Sequence, residues 1–244
     1  MKDPLDLLVV AAHPDDAEIS VGGTILVARA HGLRVGVLDL TAGEAGTRGS
    51  REERAAEAEF ASRRLDLSWR GNLDLGDAQL ANDLPSRKAL AMALAELRPT
   101  TVLGHTPDDL HPDHAAAGAL CRDSCYLAGL TKFVDGPAHR PSRLLQFLSH
   151  EVRDPDLVVD VTAVWARKLE AIRSYASQLA AKDGVDAGEH LPTGSDIVGR
   201  AEAKARFWGA RIGVAFGEAL LSPRPLQADV GSLFPSSAGR FGGV

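Results

Sequence analysis

The apolar residues of this chain fall into short continuous runs, separated by stretches whose polar and apolar residues have helical spacing. Residues 6–12 and 34–40 are two such runs, rich in leucine and valine, and each has the length of a strand buried on both faces. Between them, residues 22–31 have helical spacing and end at Gly32, where a glycine favours the turn that closes a helix. Two buried strands joined by a helix predict a parallel βαβ unit.

The same alternation continues along the chain, so we predict an α/β fold with a Rossmann-like, mostly parallel sheet flanked by helices. Ser50 is expected to begin a helix, because Glu53 completes a capping box with it. Helices are predicted at residues 50–65, 86–98, 113–127, 162–177 and 197–213, and further strands at residues 67–75, 101–104, 144–148 and 157–161. Residues 182–195 are expected to form a surface loop. We expect a single domain over residues 1–229 and a loose tail over residues 230–244.

Composition narrows the classes of function. The 244 residues carry a formal net charge of −6. Nucleic acids and anionic membranes are bound mainly through clustered positive charge, so neither is an expected partner. The first apolar run is too short to span a bilayer and no small-residue cleavage site follows it, so we expect no export signal. Cys121 and Cys125 lie four residues apart on one predicted helix face, so we expect both to be reduced and the protein to be cytoplasmic.

The first motif with chemical potential is His13-Pro14-Asp15-Asp16, which directly follows the first strand. Ligand sites of open α/β sheets lie at this end of the strands. One histidine and two carboxylates so close together offer a metal an imidazole and a carboxylate, while the second carboxylate stays free to act as a base. The alternative is a turn in which Asp15 or Asp16 caps the following helix.

A second motif, His111-Pro112-Asp113-His114, follows the fourth strand and so belongs to the same sheet edge. His13, Asp16 and either histidine of the second motif would give a metal three protein ligands and an open position, as in catalytic zinc sites. The remaining histidine is then free to face a substrate, and Asp113 is placed to orient an imidazole. The alternative is a helix start capped by Asp113. Two such motifs at one edge favour the metal site over two unrelated turns.

Other residues near this edge suit a polar ligand. Arg51 follows the second strand in a glycine-rich segment, and a guanidinium binds a carboxylate through two hydrogen bonds. Arg51 equally suits a solvated helix face, because charged residues surround it. Asp77, after the third strand, suits a bond to a sugar hydroxyl, although spacing alone favours a turn. Of the remaining histidines, His105 is near enough to the second motif to line a pocket, whereas the others, including His150, have no partner at motif spacing.

Taken together, these motifs resemble a known family. The strand followed by H-P-D-D-x-E-x-x-x-G-G-T, the G-x-x-G-T-R-G loop and the H-P-D-H box are similar to the LmbE/PIG-L family of zinc-dependent N-acetylglucosaminyl deacetylases. The resemblance covers nearly the whole chain up to about residue 229. Finer features at residues 39–41, 157–161, 175–178 and 217–220 resemble the bacillithiol-biosynthesis branch, whose members remove acetate from N-acetylglucosaminyl malate.

The resemblance implies a role for each residue of the site. The implied zinc ligands are His13, Asp16 and His114. This ligand set also suits Fe²⁺ or Co²⁺. Asp15 is implied as the general base, and His111 as the residue that stabilises the oxyanion, with Asp113 behind it. Arg51 and Asp77 match positions that contact the substrate in relatives.

The resemblance also implies a fold and a reaction. The fold is the LmbE-like three-layer sandwich, and the reaction is hydrolysis of the acetamide of a small-molecule N-acetylglucosaminide. Relatives of this branch are commonly homo-oligomers with six subunits. A nearer alternative is a deacetylase or amidase of the same fold that acts on another N-acetylated sugar or on a thiol conjugate. A non-catalytic nucleotide-binding module is disfavoured, because carboxylates follow the first strand where a pyrophosphate needs a G-x-G-x-x-G loop.

Overall fold

The computed structural model describes residues 3–179 and 196–227 and confirms the α/β class. The strands in this part of the chain are β1 (Leu7–Ala11), β2 (Val35–Asp39), β3 (Trp69–Asn72), β4 (Thr101–His105), β5 (Arg143–Phe147), β6 (Leu157–Asp160) and β7 (Gly217–Leu221). The helices are α1 (Asp16–Ala30), α2 (Arg51–Arg64), α3 (Leu84–Leu97), α4 (Pro112–Leu127), α5 (Trp165–Ile172), α6 (Ala176–Leu179) and α7 (Ile197–Arg211). The strands form one sheet in the order β3-β2-β1-β4-β5-β7-β6.

The order and direction of the strands bring the two sequence motifs together. β1 pairs in parallel with β2 on one side and with β4 on the other, and β7 is antiparallel to both β5 and β6. The chain therefore leaves β1 in one direction along the sheet and returns to its other side through β4. Ligand sites of such sheets lie at this reversal, outside the carboxyl ends of the strands.

Alternate residues of β1 enter separate cores on the two faces of the sheet. Leu8 and Val10 pack in a cluster with residues of α3 and α4, whereas Val9 and Ala11 pack in a cluster with residues of α1 and α5. All four side chains are fully buried. Helices on both faces explain why the run is continuously apolar rather than alternating. The predicted three-layer arrangement is confirmed.

Helix α1 begins six residues earlier than its spacing predicts, at Asp16 rather than at residue 22. The backbone of Val21 inside it is not helical, and the helix is kinked there. Gly23 follows the kink and lies so close to Val161 that a Cβ atom would come within 2.7 Å of that side chain. Close packing of α1 therefore requires a glycine at this point.

The helix predicted over residues 162–177 is broken into three pieces. A one-turn 3₁₀ helix at Thr162–Val164 precedes α5, and the chain turns before α6. Tyr175 lies at this second break and is buried, with its hydroxyl oxygen 3.0 Å from Nη2 of Arg70. The break thus directs a polar aromatic side chain to a partner inside the fold, as buried tyrosines require.

The strand β7 is not predicted by the hydrophobic pattern, because it contains the buried carboxylate of Glu218. Nζ of Lys168 lies 2.6 Å from Oε1 of Glu218, and the backbone N–H groups of Gly23 and Thr24 donate to the same carboxylate. A buried charge is tolerated when it is paired and hydrogen-bonded in this way. The predicted loop at residues 182–195 and the predicted C-terminal tail at residues 230–244 lie outside the described residues.

Candidate metal centre and active-site cavity

A cavity of about 1070 Å³ lies at the sheet edge where β1 and β4 end. Residues of both motifs line it, because the first motif directly follows β1 and the second begins α4. Further wall is formed by residues after β5, by α7 and by the start of β7. The cavity is as large as the pockets that enclose whole small-molecule ligands in other proteins.

His13, Asp16 and His114 form a compact group of metal-ligating atoms beside this cavity. Their candidate ligand atoms all lie within 4.8 Å of one another. Nδ1 of His13 is 3.2 Å from Oδ2 of Asp16, and Nε2 of His114 is 3.2 Å from Oδ1 of the same carboxylate. Two other such groups among the described residues share His13 or His114 with this one. Two imidazoles and a carboxylate are a donor set that divalent transition metals bind well.

Three carboxylates surround the His13 ring. Nε2 of His13 lies 3.1 Å from Asp77 and 3.2 Å from Asp113, in addition to the contact of Nδ1 with Asp16. Burial lowers the pKa of this imidazole, but the hydrogen bonds with Asp113, Asp16 and Asp77 outweigh burial and raise the pKa to about 12. The proton on His13 thus balances part of a local excess of negative charge. A divalent cation fits this environment, because it would supply that positive charge and displace the proton.

Asp15 faces the cavity from a strained backbone. Its φ angle of 118° lies in the left-handed region, and its side chain makes no capping hydrogen bond to α1 although it precedes that helix. Burial raises the pKa of Asp15 to about 7, against the opposing effect of the Arg54 guanidinium, whose Nη2 lies 3.4 Å away. A carboxyl group with a pKa near neutrality both accepts and returns protons at physiological pH.

His111 lines the cavity, and a carboxylate oxygen of Asp113 lies within 4.8 Å of a ring nitrogen of His111. Asp113 Oδ2 lies 3.2 Å from Nε2 of His13 and accepts the backbone N–H of Ala78. The role of Asp113 behind His111 stays a prediction, and the same carboxylate also contacts the His13 ring. His111 precedes α4, and its Nδ1 accepts the backbone N–H of Asp113 at 3.2 Å.

The two residues expected to contact substrate lie in different places. Asp77 lines the cavity and accepts the backbone N–H of Ala45. Arg51 is not among the residues that line the cavity, and its half-exposed guanidinium lies 2.5 Å from the carboxylate of Asp74. One helical turn later, Arg54 is the buried arginine that reaches the cavity.

Two further histidines near the site, His150 and His105, lie outside both sequence motifs. His150, expected to have no role, lines the cavity and contacts the buried carboxylate of Asp109. A signal for His150 exists in its position, because it follows β5, which ends at the same sheet edge. His105 lies beneath the cavity, where its Nε2 accepts the backbone N–H of Ala12 at 3.0 Å.

Comparisons with known proteins decide the family. The family model for PIG-L, described as GlcNAc-PI de-N-acetylase, matches residues 8–125. The diacetylchitobiose deacetylase of Thermococcus kodakarensis is 30% identical over 197 residues, which are 72% of this chain and 71% of that protein. The chain belongs to the PIG-L family. The matched segment of the family model contains both motifs of the candidate metal centre.

Two further similar proteins extend the match along the chain. The probable N-acetyl-alpha-D-glucosaminyl L-malate deacetylase 2 of Bacillus anthracis is 28% identical over 195 residues, which are 75% of this chain and 85% of that protein. A conserved protein of Thermus thermophilus has a solved structure with a TM-score of 0.84 and 39% identity, covering 93% of this chain and 98% of that one. Because the relatives with a named activity include these deacetylases, the chain is an N-deacetylase of the PIG-L family. No helix among the described residues is long and apolar enough to cross a bilayer.

Proposed function

We propose that this PIG-L family member removes acetate from N-acetylglucosaminyl malate, a step of bacillithiol biosynthesis, with a divalent metal at its active site. The observation that carries the proposal is the group His13, Asp16 and His114, placed beside the cavity-facing carboxylate of Asp15. The malyl substrate rests on the finer sequence resemblance and on the similarity to the Bacillus anthracis protein.

The donor set supports zinc as the metal. His13, Asp16 and His114 would give a divalent metal three protein ligands, the number found in catalytic rather than structural zinc sites. Fe²⁺ and Co²⁺ suit the same donors, so metal supply also decides which ion is loaded. When bound, such a cation polarises the acetamide carbonyl and lowers the pKa of water towards 7.

Asp15 is the proposed general base. Its carboxylate takes the proton that the attacking water loses, and the pKa of about 7 leaves a substantial fraction of the group ionised at neutral pH. Arg54 holds this carboxylate from the side through the 3.4 Å ion pair. Asp15 then returns the proton to the amine as the C–N bond breaks. Because Asp15 both accepts and donates the proton, no separate acid is needed for the leaving amine. His111 is the second candidate for this acid.

His111 is the proposed donor to the developing oxyanion. Because its Nδ1 accepts a backbone hydrogen bond from Asp113, the neutral ring carries its proton on Nε2. Burial, together with the neighbouring His114 and His13, lowers the pKa of His111, so the ring is neutral at pH 7. A neutral N–H on this cavity-lining ring stabilises negative charge on the acetamide oxygen without competing for the metal.

Recognition of a malyl group needs positive charge, and the wall formed by α7 supplies it. Arg200 and Lys204 both line the cavity. Lys204 Nζ donates to the carbonyl oxygen of Leu148, and burial together with the nearby charge of Lys168 lowers the pKa of Lys204 to about 8. Arg200 is exposed and lines the cavity, and a guanidinium binds a carboxylate through two hydrogen bonds. We propose Arg200 as the malate contact that the resemblance assigned to Arg51.

A comparison of substrates tests the proposal. Acetate release by the zinc-loaded protein would be measured for N-acetylglucosaminyl malate, diacetylchitobiose and N-acetylglucosamine. We expect kcat/KM to be highest for the malyl compound by about tenfold or more, the effect of one charge-assisted contact. Equal values for all three would remove the malyl assignment and favour another N-acetylated sugar. No acetate from any of them would contradict the proposal.

Two variants locate the malate contact within that assay. Arg200→Gln should lower kcat/KM for the malyl compound and leave kcat/KM for N-acetylglucosamine unchanged. Arg51→Gln is the matched control, because Arg51 carries the same charge outside the cavity lining. A loss of malyl selectivity in Arg51→Gln alone would restore the assignment based on the resemblance.

The proposal includes three expectations for the whole protein: a single domain over residues 1–229, assembly into a homo-oligomer such as a hexamer, and residence in the cytoplasm. Cys121 and Cys125 are both free and buried, which supports a reducing compartment. Light scattering coupled to size-exclusion chromatography would measure the assembly, and a monomeric mass would contradict that part of the proposal.

A further inference from the structure

Asp109 is a buried carboxylate that lies between two imidazole rings at the back of the cavity. Its Oδ1 atom is 2.9 Å from Nδ1 of His150 and 3.3 Å from Nδ1 of His114. The same carboxylate accepts the backbone N–H groups of His111 and His150. The side chain of Asp109 is 0% exposed, so these N–H groups replace water around its charge.

The contacts of Asp109 set where each imidazole carries its proton. An ionised carboxylate only accepts hydrogen bonds, so Nδ1 of His150, which hydrogen-bonds with Asp109, carries hydrogen. Nδ1 of His114 is buried without a hydrogen-bond partner among the described residues and lies 3.3 Å from Oδ1 of Asp109, so a hydrogen on this atom faces the carboxylate. Nε2 of His114 is then the atom with a free lone pair, and it points at the metal-ligating group, 3.2 Å from Asp16. His150 lines the cavity, so its Nε2 is the acceptor that this ring offers to a bound molecule.

Packing supports the same arrangement. The rings of His150 and His114 stack, with centroids 5.0 Å apart and an angle of 25° between their planes. His150 also stacks on His111 at 6.3 Å. The His150 ring therefore lies against two rings of the second motif and is held at its edge by Asp109.

We infer that Asp109 is a positioning residue that fixes His114 for the metal and His150 for the substrate, and that His150 binds a hydroxyl group of the sugar. The inference rests on the proposed function for the identity of the ligand. A carboxylate that accepts the second ring N–H of a metal-binding histidine typically changes metal affinity by about 10- to 100-fold. Asp109 is the carboxylate that faces the second ring nitrogen of His114, and it also anchors the ring of His150.

Metal affinity tests the first half. In Asp109→Asn, zinc affinity measured by competition with a chromophoric chelator should fall about 10- to 100-fold. Asp108→Asn is the matched control, because Asp108 is exposed and pairs with Arg153, so its zinc affinity should equal that of the wild type. Unchanged zinc affinity in Asp109→Asn would overturn this half. The measurement uses zinc alone, so it stands even when no sugar substrate has been found.

Steady-state kinetics test the second half. In zinc-saturated His150→Gln, KM for the sugar substrate should rise about 3- to 10-fold, the effect of one lost hydrogen bond, with kcat nearly unchanged. Zinc affinity of this variant should stay within about twofold of the wild type, because His150 is not a ligand. Unchanged KM, or a loss of zinc affinity equal to that of Asp109→Asn, would overturn the role of His150.

A spectroscopic measurement on the wild type makes the inference independent of how the variants fold. Long-range ¹H–¹⁵N spectra of the zinc-loaded protein distinguish the two imidazole tautomers. His114 and His150 should both carry hydrogen on Nδ1. Hydrogen on Nε2 of either ring would contradict the positioning role of Asp109.

Discussion

Asp15 combines an unusual backbone conformation with an unusual carboxyl group. A φ of 118° is rare for a residue with a side chain, and Asp and Asn tolerate the left-handed region better than most. The strain turns the carboxylate away from the end of α1, where it would act as a cap, and towards the cavity. Strain of this kind persists when the surrounding fold determines it, and it is common at active sites.

Replacing Asp15 should separate metal binding from turnover. Asp15→Asn keeps the shape of the side chain and its tolerance of positive φ but cannot take a proton, so kcat should fall by about 10² to 10⁴. Zinc content, measured by mass spectrometry, should match the wild type, because Asp15 is outside the ligand group. His13→Ala is the comparison that should lose both zinc and activity. Equal zinc loss in the two variants would contradict this division of roles.

At the level of residues, the sequence predicts the motifs better than the contacts between them. His13, Asp16 and His114 are found because their motifs follow strands that end at one edge of the sheet. Asp109 and His150 become partners only in the fold, 41 residues apart in the chain. No local spacing encodes that contact.

Among the elements, apolar strands are the most predictable, and strands that carry buried charge are the least. β1 and β2 are buried throughout, and the sequence analysis predicts both. β7 contains Glu218, whose partner Lys168 lies on α5, so a tertiary ion pair rather than the local pattern permits the strand. The break before α6 likewise depends on a long-range partner, since Tyr175 reaches Arg70 on β3.

Gly118 shows how an element is held in the correct place for chemistry. This residue lies on α4, which carries His114, and a Cβ atom there would come within 2.5 Å of the backbone of Thr106. Only glycine allows α4 to pack so closely against the chain that leaves β4. The start of α4 is thereby fixed at the cavity.

The capping box of α2 gives a prediction at the scale of this element. Ser50 Oγ accepts the N–H of Glu53, and the Glu53 carboxylate accepts the N–H of Ser50. Ser50→Ala should lower the free energy of unfolding by about 1 kcal/mol, measured by urea denaturation. Ser62→Ala in the same helix is the control, because that hydroxyl bonds back to the carbonyl of Ala58 and contributes little. An equal loss in both variants would contradict the role of the cap.

On the scale of the whole molecule, a buried charge network joins distant parts of the chain beneath the cavity. Arg70 on β3 lies 2.6 Å from Glu18 on α1 and 2.8 Å from Asp39 on β2, and it also contacts Tyr175. Burial lowers the pKa of Arg70, but the charges of Asp39 and Glu18 outweigh this and hold it well above its usual value. Burial raises the pKa of Asp39 in turn. The network ties α1, β2 and β3 together through one guanidinium.

Removing this guanidinium should be costly. Arg70→Met leaves the carboxylates of Glu18 and Asp39 buried without their counter-charge, so unfolding free energy should fall by about 3 to 5 kcal/mol. Arg64→Met is the matched control, because Arg64 pairs with Glu170 on the exposed surface and should leave the urea midpoint unchanged. A similar small change in both variants would mean that the network does not stabilise the fold.

The positions of the charged side chains, which composition does not give, are the last feature at the scale of the whole molecule. The net charge of −6 argues against nucleic acids and anionic membranes as partners, but it does not show where the positively charged side chains lie. Two of those that line the cavity, Arg54 and Lys168, are paired with Asp15 and Glu218. The sequence therefore predicts the fold class and the metal-ligating motifs, whereas selection among substrates depends on side chains that only the tertiary structure brings together.

The central claim is that His13, Asp16 and His114 hold a metal required for deacetylation. Acetate release from N-acetylglucosaminyl malate by the chelator-treated protein, followed as zinc is added back, tests it most directly. We expect no release without metal and full activity at about one zinc per chain, with His13→Ala inactive throughout. Acetate release that persists without metal, or that stays absent at every zinc concentration, would contradict the account.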